Sequence, residues 1–153
     1  MNNLLAKFKT AQQTTYSKAL QEIRNGQKQT HWMWFIFPQV AGLGKSAKAK
    51  EYGIKNIEEA KFYLLDDILG QRLVELNSIL AYEVNNRTVE DIFGFPDYLK
   101  WHSSLTLFNV VVNTNEEFKT NGKYNCFVDA LYKYYEGKTD RFTMEILTSK
   151  SSA

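Results

Sequence analysis

The sequence predicts a mainly α protein: a single compact multi-helix domain of five to six helices with at most one or two short strands. Three observations carry this expectation. Apolar residues recur at three- and four-residue steps in at least five segments. Capping residues and helix-stopping glycines or prolines bracket those segments. The chain has 153 residues, 44% hydrophobic and 24% charged, the make-up of one globular domain with a sizeable core. The domain is expected over residues 1–148, with 149–153 as a flexible tail.

From Leu4 onward, Leu5, Phe8, Ala11, Thr15, Ala19, Leu20 and Ile23 form a helical stripe, and Gly26 stands where a C-terminal cap belongs. Residues 27–30 are polar and loop-like. The run "WMWFIF", 32–37, has no period of its own. Its length and aromatic content allow a short buried strand, which Pro38 would end. Asn56 followed by Glu59 makes a capping-box-like helix start, with Ala60, Tyr63 and Leu64 on one side. Leu69, Leu73, Leu76, Ile79 and Leu80 continue the helical pattern as far as "VNNR" at 84–87. Thr88 can cap a short turn through Phe93, stopped by "GFP" at 94–96. From about Asp97, Trp101, Leu105, Phe108 and Val112 share one stripe. "CFVDALYKYYEG", 126–137, is amphipathic and ends at Gly137; Thr139 or Asp140 can cap a last helix through Leu147.

A formal charge of +2 is too small to argue for DNA or membrane binding. Its distribution is uneven. Residues 1–61 hold ten Lys and Arg against four Asp and Glu, and 62–153 hold nine against thirteen. The basic portion can attract an anion or simply form a solvated face. No recognised motif accompanies the bias, which argues against nucleic acid as a partner. One cysteine excludes an intramolecular disulfide framework and fits a reducing cytoplasm. The first residues lack a signal peptide's apolar run, and the longest such run, Trp32 to Phe37, is far below the ~20 residues that cross a bilayer. A soluble, cytoplasmic protein without membrane association is expected.

"GLGKS", 42–46, looks like the end of a phosphate-binding P-loop. That motif needs a glycine five positions before Gly44, where Gln39 stands, so the Walker reading fails. Gly42 and Gly44 can point successive N–H groups into one concavity, with Lys45 and Ser46 adding a charge and a hydroxyl. The alternative is a plain turn with a solvated lysine. Trp32 and Trp34 can stack a ring or belong to the core, where an indole N–H must find a partner. Lys100, Ser103 and Ser104 fall on one helical face, offering either a close helix crossing or a lysine and two hydroxyls to a pocket. Arg72 is a buried salt-bridge partner or a ligand clamp. His31 and Glu59 are the catalytic candidates, Glu59 being also a cap residue. Two histidines and one cysteine give no metal-ligand spacing, and no metal or cofactor is expected.

"HWMWFIFPQ" at 31–39, "GLGKS" at 42–46, "EYGI" at 51–54, "LGQRL" at 69–73, "KWHSSLTLF" at 100–108 and "YEGKTDRFT" at 135–143 come in the order of one family. The chain resembles the bacterial domain-of-unknown-function 1810 family from about Leu5 to Leu147. It departs by lacking the family's proline within "DDILG" and by carrying Leu105 where methionine is usual. Both changes are tolerable for the fold. The resemblance implies a small, predominantly helical protein and no settled activity. The residues themselves suggest a binder or enzyme acting on an anionic small molecule, with nucleotide-like molecules among the candidates. Its pocket would lie between the 31–46 segment and the faces carrying Glu59 and Lys100 to Ser104. The alternative is a non-catalytic protein-interaction module.

Overall fold

The computed structural model describes residues 2–151, with side chains from 4 to 149. Among the described residues there are eleven α-helical segments and one 3-10 turn, where five to six helices were expected. They are α1 (Asn2–Gln13), α2 (Tyr16–Arg24), α3 (Met33–Ile36), α4 (Ala47–Tyr52), α5 (Ile57–Leu65), α6 (Leu69–Tyr82), α7 (Val89–Ile92), α8 (Asp97–Asn113) and α9 (Glu116–Lys119). The 3-10 turn Gly122–Tyr124, α10 (Asn125–Tyr135) and α11 (Arg141–Ser151) follow. Part of the expected tail is thus the end of α11, and residues 152–153 lie outside the described residues.

The excess over the expected number has two sources. Four segments are of four to six residues, too short to display a helical period. The long N-terminal stripe is also two helices, broken at Thr14–Thr15 with Thr15 N–H donating to Gln12 O. Likewise α5 and α6 are separated at Asp66, whose Oδ2 accepts from the N–H groups of Ile68 and Leu69. The caps lie where the sequence places them. Asn56 Oδ1 accepts from Glu59 N–H, and Thr88 and Asp91 form a reciprocal capping box. At Gly26 (φ +71°), Gly26 N–H donates to Ile23 O and Gln27 N–H to Glu22 O, a complete Schellman ending for α2.

The expected strand at "WMWFIF" is instead the single turn α3. Ile36 N–H donates to Trp32 O and Phe37 N–H to Met33 O, the i to i−4 bonds of a helical turn where a strand ladder was expected. Extended pairing among the described residues is confined to one isolated parallel bridge between Val40 and Ile54. That bridge matters for the site, because it ties together the two ends of the segment 40–54. Ala41 N–H donates to Ile54 O and Ile54 N–H to Gln39 O.

Helix α8 is the axis of the molecule. It packs against α3, α5, α7, α9, α10 and α11, and it is buried nearly all round from Trp101 to Val112. Its core polar groups are satisfied: Asn109 Nδ2 donates to Leu105 O and Phe127 O, and Thr106 Oγ1 to His102 O. The core is one continuous cluster running from Leu5 to Leu147. Helices α6 and α10 pack most closely of all, enclosing Cys126, the sole cysteine of the sequence. Its Sγ lies 3.8 Å from Val74 O, and burial pushes the thiol up to about 11. No helix among the described residues is long and apolar enough to cross a membrane.

Candidate functional site

The segment closed by the Val40–Ile54 bridge folds back as a flap over α3 and the start of α8. Beneath it lies a cavity of about 260 Å³ lined by Trp34, Gln39, Val40, Leu43, Gly44, Lys45, Ser46, Ala49, Tyr52, Gly53 and Lys100. Six of the eleven predicted binding residues therefore meet here: Trp34, Gln39, Gly44, Lys45, Ser46 and Lys100. They come from three separate stretches of sequence.

The lining is largely apolar, and the polar side chains in it, Gln39, Lys45, Ser46, Tyr52 and Lys100, can all donate hydrogen bonds. Lys45 is exposed, and Lys100 is half-buried, with its Nζ 4.8 Å from the Trp34 ring centre and 3.4 Å from Asp97 Oδ1. Asp97 also pairs with the nearly buried Lys28 at 2.8 Å, so one carboxylate serves two ammonium groups and the region keeps a net positive charge. Among the described residues, no carboxylate, histidine or cysteine lines the cavity. Burial, then the charge of Glu51, pushes the Tyr52 phenol above its ordinary value, keeping it protonated near neutral pH.

The flap differs in detail from a phosphate-gripping nest. Only Gly42 has positive φ, +103°, and it lines a different cavity. Gly44 is required for another reason: a Cβ there would lie 2.7 Å from the Ala49 Cβ. Ser46 is the N-cap of α4, its Oγ accepting from Ala49 N–H at 3.1 Å. The hydroxyl proton of Ser46 is left over for donation into the cavity.

The remaining candidates are engaged elsewhere. Trp32 is fully buried, its Nε1 donating to Glu22 Oε1. Arg72 lies over the Tyr16 ring and donates to Gln12 Oε1 at 3.2 Å, clamping α1 to α6. Gln12 in turn donates to Phe35 O and the Tyr63 hydroxyl. Glu59 is buried beside its cap, accepting from Lys55 N–H at 3.4 Å, and His31 is exposed away from the cavity. Ser104 is buried within the α8 packing, whereas Ser103 reaches Asp140 Oδ2 at 3.1 Å. Tyr52 and Gly53 are lining residues that the sequence reading missed; "EYGI" carried them, but only the bridge at Ile54 brings them to Trp34.

The arrangement defines a helical protein with one donor-rich cleft roofed by a glycine-bearing flap. The chain belongs to the family described as "Protein of unknown function (DUF1810)", whose model matches residues 2–147. No curated protein matches the sequence. The crystal structure of the conserved hypothetical protein Rv1873 from Mycobacterium tuberculosis is similar, with 43% identity and a TM-score of 0.85. The match covers 94% of this chain and 96% of that one.

Proposed function

We propose that the protein binds a small anionic molecule in the cavity beneath the 40–54 flap. The observation that carries this reading is the meeting of Lys45 and Lys100 with Trp34, Gln39 and Ser46 in a cavity with no acidic lining. Ammonium groups, a carboxamide and a hydroxyl together suit a carboxylate or phosphate. At about 260 Å³ the cavity is smaller than the roughly 300–1,000 Å³ of drug-sized sites. It suits one anionic group with at most one ring; of a nucleotide, only part would be enclosed. The lining supports recognition over proton transfer, since its ionisable groups are Lys45, Lys100 and Tyr52, with no carboxylate, histidine or cysteine among the described residues to act as a base.

The alternative, a protein-interaction module, has weaker support. Exposed Phe95, Tyr132 and Phe142 stand on different elements, and scattered apolar residues are ordinary on a protein surface. Thermal-shift screening separates the two readings, using phosphate, aromatic carboxylates, adenine nucleotides, nicotinamide dinucleotides and ADP-ribose. A stabilising anion whose effect falls in Lys45→Ala and Lys100→Met supports the binder. Lack of stabilisation by any of them, or an undiminished effect in both variants, overturns it.

A further inference from the structure

We propose that a second cavity, on the far side of Leu43, binds a small hydrophobic amine. This cavity of about 520 Å³ lies within the usual range of small-molecule sites. Leu43, Leu99, Phe142 and Ile146 form its walls, and Leu99 and Phe142 remain substantially exposed at its mouth. Its polar groups are of the opposite character to those of the first cavity. Ser103, Asp140 and Glu145 line it, and among the described residues no lysine, arginine or histidine does.

Asp140 is the anchor. Its Oδ2 accepts from Thr143 N–H at 3.0 Å and the Thr143 hydroxyl at 2.6 Å, and Ser103 Oγ lies 3.1 Å away. Its own N–H donates to Thr106 Oγ1 at 2.8 Å. The carboxylate is therefore held by α8 and the start of α11. The three bonds to the carboxylate all fall on Oδ2; Oδ1 takes no hydrogen bond from the described residues. The nearby Glu145 pairs with Arg141 at 3.0 Å on the surface, which leaves Asp140 the less neutralised charge. A fixed carboxylate with a spare oxygen, beside exposed apolar walls, complements an ammonium carried on an apolar body. The start of α11 and the donors on Oδ2 share the same delocalised carboxylate charge, so they lessen the attraction for an ammonium, for which Oδ1 is the open position.

The test is an NMR titration of the whole protein with phenethylamine, and with phenethyl alcohol as its neutral counterpart. The amine should perturb the amides of Leu99, Ser103, Phe142 and Ile146, and bind at least about tenfold more tightly than the alcohol. Asp140→Asn, which keeps a capping oxygen, should reduce that preference about tenfold. Phe142→Ala should weaken both ligands alike, and Lys45→Ala should leave amine binding unchanged, separating this site from the anion cavity. Equal affinity for amine and alcohol in the wild type overturns the proposal without any variant. So does a perturbation mapping elsewhere, or an undiminished preference in a folded Asp140→Asn protein.

Discussion

The Trp32 indole donates its Nε1–H to Glu22 Oε1 across 3.0 Å, joining α3 to the end of α2. The same carboxylate accepts from Gln29 N–H, Thr30 N–H and the Thr30 hydroxyl, so one glutamate organises the whole 25–32 turn. Glu22→Ala would orphan those donors and should cost roughly 2–4 kcal/mol in denaturant unfolding. A loss below about 1 kcal/mol would mean that water replaces the carboxylate freely.

Glu22 also predicts part of the acid response. Burial pushes its carboxyl up, but the bonds from Thr30, Gln29 and Trp32 outweigh this and hold it below its ordinary 4.5. The unfolded chain therefore binds this proton more readily than the folded one. The stabilisation is complete above about pH 4.5, the unfolded value, and is lost as pH falls through the lower folded value. Unfolding measured across that window should show wild type losing stability faster than Glu22→Gln, which has no proton to gain. Parallel curves would contradict the assignment.

Trp101→Ala should destabilise by about 3–5 kcal/mol. The ring is fully buried, packs on Phe93, Tyr134 and Tyr135, and donates to Asn77 Oδ1 at 3.0 Å. Asn77→Leu should cost less than the tryptophan deletion, because it leaves only one donor unpaired. Equilibrium unfolding of both variants checks the order.

Lys133→Met should cost about 1–2 kcal/mol while keeping the packing of the stem. The ammonium donates to Leu80 O at 3.1 Å and Ala81 O at 3.2 Å, and also reaches Val84 O, closing the C-terminal end of α6. Faster amide exchange confined to residues 80–84 would mark the loss as local.

Ser46→Ala should weaken any anion bound beneath the flap and also cost about 1 kcal/mol through the lost cap of α4. Lys45→Ala should weaken the anion with no stability cost, as its exposed side chain caps nothing. Comparing the two melting temperatures without and with phosphate separates capping from binding.

Local signals were legible in the sequence; distant partners were not. Asn56 and Thr88 begin helices through their own side-chain oxygens and Gly26 ends one through its left-handed backbone, so a few neighbouring residues suffice to place them; α10 ends one residue before the expected Gly137, on left-handed Glu136 (φ +58°). The stripe of α8 followed from its period. Trp32 was ambiguous because its partner Glu22 lies ten residues away, and no local rule links them. Arg72 reads as a ligand clamp or an ion-pair residue, and its actual partners, Gln12 and Tyr16, are set by the packing of α1 and α2 on α6. "WMWFIF" was open to a strand because four residues of helix carry no period. The candidate cavity was half visible: "GLGKS" marked the flap, but its closure depends on the Val40–Ile54 bridge.

The burial of Cys126 makes the chain its own stopwatch. Alkylating reagents attack the thiolate, a form that burial suppresses while α10 stays against α6. Labelling must then wait for those two helices to part. With no second thiol in the sequence to compete, the rate of modification counts the openings of that one seam. Variants such as Lys133→Met, which act on the same pair of helices, would announce themselves as a quickened tick long before the protein melts.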